Sequence, residues 1–380
     1  MGAALLAPFP ARASDIEIRG LLDLVASEHS DAQALNTLIR GDSPFDAYGV
    51  RLFVNARAND HLAVYSQFVL REATTPYVDG AYVLWTPWAT RDAHVLAGKI
   101  PWAIGTYAPR TYSNKNPLIG TPLIYQYHTN LVWYALPPSV DALIASSGTG
   151  QYGVDYYGFP MSRGMAIVDD SYWDVGVTVA GSARPLEYAL GVTAGTPGWA
   201  NPARDENSGK TVLGRLGFSP LPILRVGVSG AYGPYLVDEL KPQLPPGKEI
   251  NDYHQELAMA DAEILVGHLE LRGEGAWNVW QTPTLGDLRV RAGYAEARYS
   301  LPFGAYLAGR FERMRFGEIA DSTGEKVPWD SNVDRYEVGG GYRFDRNVLL
   351  KVVYQSTRTE AAEEKYTRVS FFAAQASIAF

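Results

Sequence analysis

The chain has no cysteine and no apolar run of the roughly 18 residues a helix needs to cross a bilayer. The first absence excludes a disulfide scaffold and any Cys-ligated metal, and suits export through an oxidising compartment. The second leaves a closed β-barrel as the only membrane-spanning form open to it, since lipid satisfies no backbone polar group. A basic excess is also missing: 33 Lys and Arg stand against 41 Asp and Glu, a net charge of −8, which argues against nucleic acid as a partner. Charged residues make up only 19% of the chain, below the soluble norm of about 25%. No HExxH or GxSxG occurs, and the six histidines, His29, His61, His94, His128, His254 and His268, lack metal-ligand spacing. No catalytic residue, cofactor or metal site is therefore expected. A Ser-His pair on a barrel rim, acting on lipid, stays open only because triads are spatial.

What the chain has instead is glycine, tyrosine and alternation. It carries 37 Gly, 24 Tyr and 9 Trp among 380 residues. Residues 47–58 place Tyr48, Val50, Leu52, Val54 and Ala56 on one face and Arg51, Phe53, Asn55 and Arg57 on the other. That period of two is the signature of a half-buried strand. The same rhythm runs from residue 15 to residue 102 and from 171 to 380. It predicts about 16 strands, with every second connection short and the others long. An even strand count with that asymmetry is the pattern of an antiparallel transmembrane barrel, with short periplasmic turns and long extracellular loops. A soluble sandwich has no reason to keep such parity.

Residues 103–170 break the rhythm, being rich in Gly, Pro, Ser and aromatics. They follow the fifth strand, and the reading folds them into the lumen. Ile124 to Leu136 reads as either a short strand or a short helix. Tyr152, Tyr156, Tyr157 and Phe159 form an aromatic cluster that either guides flat solutes or packs on the wall. At the N-terminus, Ala11-Arg12-Ala13 before Ser14 has the small-x-small form of a signal-peptidase site. Residues 1–13 are thus expected to be the remainder of a signal peptide, and 14–380 a single barrel.

Lumen-facing charge tunes selectivity, whereas lipid-facing charge is costly. The face opposite the apolar one collects Arg51, Arg57, Arg71, Arg215, Arg225 and Arg272. Arg289, Arg291, Arg310, Arg335, Arg343 and Lys351 continue it, and Arg110 and Lys115 lie in the inserted segment. Acids on comparable faces include Glu187, Glu270, Glu274, Glu312 and Glu337. Rings of Arg and Lys favour anions, so the expected pore lining is Arg51, Arg57, Arg110, Lys115, Arg215, Arg225, Arg272, Arg310, Arg335 and Arg343. Arginine-glutamate ladders that stiffen the wall are the alternative. Trp85, Trp88, Trp102, Trp173, Trp277 and Trp280 lie near strand ends, where aromatic belts sit.

The final strand puts Phe372, Ala374, Ala376, Ile378 and Phe380 on one face and ends the chain on an aromatic. Here the sequence resembles bacterial outer-membrane porins, whose terminal aromatic strand is read by the barrel-assembly machinery. Ala97 to Gly105, AGKIPWAIG, is similar to the strand-to-loop segment of phosphate-selective-porin-like families. The resemblance implies a water-filled outer-membrane channel for small hydrophilic solutes or ions, embedded in outer-membrane lipid and possible as a homotrimer. It also implies that residues 103–170 act as the third extracellular loop and narrow the pore. A plugged or partner-binding barrel is the second implication of so large an insert.

Overall fold

Strands alternate their side chains between two faces, so a sheet whose faces meet different solvents must alternate its chemistry. A computed structural model shows how that alternation closes on itself. It describes residues 15–27, 47–71, 76–88, 90–148, 150, 164–169, 173–200, 207–360 and 367–380. The proposed leader, the aromatic cluster from Tyr152 to Phe159 and the side chain of Arg71 lie outside the described residues.

The first strands are β1 (Asp15–Ser27), β2 (Ala47–Asn59), β3 (Leu62–Arg71), β4 (Tyr77–Trp85) and β5 (Ala93–Pro101). After the long insert come β6 (Trp173–Ala183), β7 (Leu186–Thr193), β8 (Thr211–Leu221), β9 (Leu224–Pro234), β10 (His254–Val266), β11 (Leu269–Thr282), β12 (Gly286–Ser300) and β13 (Ala305–Phe316). A small hairpin, β14 (Glu318–Ala320) and β15 (Lys326–Pro328), stands outside the wall, and β16 (Val333–Arg343), β17 (Val348–Thr359) and β18 (Thr367–Ala379) complete it. Each barrel strand pairs antiparallel with the next, and β1 pairs β18, so 16 strands close with no free edge.

Closure is made at the last residue. The Gly20 amide donates to the Phe380 carbonyl at 2.7 Å, and the Phe380 amide returns to Gly20 at 3.0 Å. Glycine at position 20 leaves room for the Phe380 ring, whose tip a Cβ there would displace.

The outer face is apolar. Leu190 is 63% exposed, Leu216 60% and Val352 59%, in a band that continues through Val177, Val228, Leu307 and Val338. A soluble monomer exposes apolar patches of only a few hundred Å². A continuous apolar band around a closed barrel is the surface of a protein set in lipid.

Two expectations need correction. The connection from β11 to β12 is only Pro283–Leu285 although it lies on the long-connection side, and the short-side connection from β4 to β5, 86–92, is longer than the long-side one before it, 72–76, so the alternation of lengths is broken twice. Arg289 and Arg291 face outward, because Leu288, Val290 and Ala292 turn inward on β12. The reason is a second apolar region. Near the long-connection end the lumen is filled by a packed cluster, including Trp280, Leu288, Val290, Met314, Phe316 and Trp329, which packs with Tyr125 and Ile167 of the insert. The polarity of the strands inverts there. For the same cause Trp102 and Trp280 are buried within, whereas Trp85, Trp88 and Trp277 stand exposed outside.

Candidate functional site: the inserted segment and the charged wall

Residues 102–172 connect β5 to β6, and their described part is tied to wall strands far from β5. A chain that leaves its sheet for a closed interior must find partners for its backbone amides and carbonyls. Here the wall supplies them, mostly from charged side chains, which make the stronger hydrogen bonds. The Gly105 amide donates to Ser229 Oγ on β9 at 3.0 Å, and the Thr106 amide to Glu274 Oε1 on β11 at 2.6 Å. Glu274 also accepts from the Thr106 and Tyr125 hydroxyls. Arg110 donates to Glu296 on β12.

The segment then touches the opposite wall. Tyr112 donates its hydroxyl to Gln67 Oε1 on β3 at 2.7 Å, and the Arg51 guanidinium of β2 lies 5.7 Å from the centre of its ring. Just beyond, three carbonyls converge on one cation. Lys351 Nζ on β17 donates to Ser113, Asn116 and Leu118 carbonyls at 2.9, 3.2 and 2.8 Å. Arg343 adds a bond to the Asn114 carbonyl at 3.2 Å.

At the centre sits Arg310 of β13, buried completely. It donates to Glu337 at 2.7 Å, Glu312 at 2.9 Å, Glu296 at 3.2 Å and the Gly120 carbonyl at 2.6 Å. Glu337 in turn accepts from the Ile119 and Gly120 amides at 3.1 and 2.8 Å. A Cβ on Gly120 would stand 2.5 Å from that carboxylate, so the close approach depends on glycine. Glu312 caps the start of α1 (Leu123–Gln126) by accepting from the Leu123 amide. Arg335 fixes its end, donating to Gln126 Oε1 at 2.9 Å and to the Thr121 carbonyl at 3.2 Å. Ile124 to Leu136 thus opens as a helical turn and continues as irregular chain with bends, with one bridge between His128 and Ala166.

The second half is pinned by Asp330, in the connection between β13 and β16. Its carboxylate accepts from the Gly148 and Ser331 amides at 2.7 Å each, the Asn130 amide at 3.1 Å and the Tyr127 hydroxyl at 3.2 Å. Burial pushes the carboxyl up to about 6, against the lowering effect of those bonds. Burial likewise drives the Tyr127 hydroxyl well above its ordinary range. Near Asp330, α2 (Val140–Ala145) is capped by Ser139 Oγ, which accepts from the Ala142 amide at 3.1 Å.

The expected pore residues fall into three groups. Arg110, Arg310, Arg335 and Arg343 hold the insert. Arg215 pairs with Asp261 at 2.5 Å, Arg225 with Glu187, and Arg272 with Glu263 at 2.7 Å and Glu270 at 3.2 Å, as ladders along the wall. Arg51, Arg57 and Lys115 have no carboxylate partner among the described residues, and Arg57 and Lys115 are exposed. The wall arginines thus divide into those that hold the insert, those in ion-paired ladders and those without a carboxylate partner among the described residues. Sequence reading missed Glu296 and Asp330 as anchors. Glu296 shares its inward row with Leu288 and Val290, so its face looked like the lipid side.

Neither a protein-family model nor a curated protein matches the sequence. Solved structures do. OmpF of Salmonella typhi, in complex with daunomycin, is 12% identical with a TM-score of 0.58, covering 96% of this chain and 97% of that one. An anion-selective porin from Comamonas acidovorans is 9% identical with a TM-score of 0.56, covering 96% and 99%. OmpT, an outer-membrane protein of Vibrio cholerae in a trimer form, is 12% identical with a TM-score of 0.56, covering 96% and 99%. At these identities the likeness is one of fold. The chain has the porin-type fold, the closed 16-strand barrel of bacterial outer-membrane proteins.

Proposed function

We propose that this protein is an outer-membrane porin, a water-filled channel through which small hydrophilic solutes diffuse passively. The observation that carries the reading is the closed 16-strand barrel that is apolar outside and charged inside, with its longest connection drawn across the lumen. In this reading residues 103–170 form the third extracellular loop and set the size of the passage. The wall sets the sign. Arg51 and Arg57 on β2, with Lys115 of the insert, are cations that neither pair with a carboxylate among the described residues nor hold the insert's backbone, and they give the pore a modest preference for anions. The ion-paired Arg215, Arg225 and Arg272 contribute less. Passage, not catalysis, is the activity proposed, and a lipid-hydrolysis assay on the purified protein is expected to be blank.

Residues 1–13 are proposed as signal-peptide remainder, the strand ending in Phe380 as the signal read by the barrel-assembly machinery, and a homotrimer as the assembly. A trimeric form of the Vibrio cholerae neighbour supports the last. The test is conductance in a planar bilayer under a salt gradient. A reversal potential of anion sign that shrinks in Arg51→Gln and Arg57→Gln is expected, and a clear cation preference overturns the sign. The density of bonds around Arg310 favours one other reading, a plugged barrel. A closed trace that opens only when residues 113–164 are shortened would establish that reading instead.

A further inference from the structure

The arginines that turned out to face outward form a structure of their own. Arg289 and Arg291 of β12, Arg313 and Arg315 of β13, Arg358 of β17 and Arg368 of β18 all lie on the outer face. The strand ends they occupy are those of the long-connection side. Roughly ten residues of a tilted strand cross the apolar band of a barrel. Counted from the short-turn end, ten residues of β12 end at Arg291 and ten of β13 at Met314. The arginines of these two strands therefore occupy the last two places of that span and the residues beyond it. Beneath them on the same face stand Tyr336, Val338, Val352, Tyr354 and Phe372.

Register makes the patch unusual. Arg291 stands directly opposite Arg315, and Arg358 directly opposite Arg368. Like charges directly opposite each other on paired strands destabilise a sheet. Acids in the same outward rows are few among the described residues. Asp287 pairs with Arg289 at 3.1 Å, and Asp334 is shared by Arg313 at 2.8 Å and Arg315 at 2.7 Å. Arg291 and Arg368 are exposed with no carboxylate partner among the described residues. All six cations are arginine and none is lysine. Arginine's planar fork matches phosphate oxygens bidentately. Its stem can also lie along an apolar surface with the head at headgroup depth, and Arg313 does so, its guanidinium 5.4 Å from the Phe311 ring.

We infer that this band is a binding surface for the phosphate groups of anionic lipid in the leaflet at the long-connection end. The occupant is an amphiphile because the surface is one. Acyl chains meet the apolar rows of β16 to β18, and the phosphate meets cations directly above them. The phosphate meets the exposed Arg291 and Arg368, each of which faces a second arginine across the register, Arg315 and Arg358.

The test compares thermal unfolding of the protein in vesicles of phosphatidylcholine alone and of phosphatidylcholine with phosphatidylglycerol. The variant is the double Arg291→Gln, Arg368→Gln. The control is Arg184→Gln, Arg346→Gln, which removes the same charge from exposed short turns at the other rim. Wild type and control should melt higher in the anionic vesicles, with the difference reduced by added salt. The double variant should lose at least half of that difference, while in neutral vesicles it melts no lower than wild type because like-charge pairs have been relieved. A double variant that keeps the full difference overturns the inference, as does a wild type that shows none. Dissociation of the double variant into smaller species in neutral detergent would also overturn it, by making the patch a contact between copies of the chain.

Discussion

Arg310 Nη2 stands 2.7 Å from Glu337 Oε2 with both side chains closed off from water, and the Gly120 backbone is bonded to both of them. The insert and the wall are thus parts of one charge-balanced cluster, in which neither partner can be removed without leaving an uncompensated ion.

Breaking a buried pair by deleting one member costs about 3–5 kcal/mol. Arg310→Met is therefore expected to release the segment around Gly120. Limited proteolysis should cut between residues 111 and 130 in the variant and not in wild type, and conductance should rise. An unchanged proteolytic pattern would show that the cluster does not hold the segment.

Lys351 serves three carbonyls, and Lys351→Met removes the donor while keeping most of the volume. Unsatisfied buried acceptors cost about 1–3 kcal/mol each at most. Faster hydrogen exchange at residues 113–118, with the barrel strands unaffected, is the expected result. Equal exchange in variant and wild type would contradict the clamp.

Asp330 links the second half of the insert to pH. Its docked value of about 6 lies above the 3.8 of an ordinary aspartate, so the docked form takes up a proton that the undocked form has released across that window. Docking is then favoured at low pH and loses stability as pH rises through about 6. The cost at neutral pH is on the order of 3 kcal/mol at most. About 1 kcal/mol of that is lost between pH 5 and 7, so protease protection of residues 127–148 should fall across that range. In Asp330→Asn, whose side chain does not titrate, that pH dependence should disappear, and a retained slope would point to another group.

Gly20→Val puts a branched side chain where the Phe380 ring lies. The ring must then move aside or the two Gly20–Phe380 bonds must break, which weakens the end of the β1–β18 seam, and the fraction of chain recovered as folded, heat-modifiable barrel should drop. Gly20→Val with Phe380→Ala restores the space, and recovery there would assign the defect to the clash.

The barrel was legible in the residues themselves. Alternation from Tyr48 to Ala56, the turns at Asn59-Asp60 and Asp345-Arg346-Asn347, and the aromatic terminus follow from local rules, since period two and turn chemistry need no knowledge of distant chain. The inserted segment was legible as an interruption and as a position. Its anchors were not, because Glu274, Glu296, Glu337 and Lys351 come from strands separated from it by more than 130 residues. The inward turn of Leu288 and Val290 was likewise hidden. Which face of a strand is wet depends on what fills the barrel, and only the path of residues 102–150 decides that.

By itself, then, the sequence determined a closed antiparallel barrel and the place of its one long insert, because both rest on periodicity. The tertiary structure decided which arginines hold that insert, which line the lumen and which stand outside. An alternating strand specifies two faces but not which of them meets water.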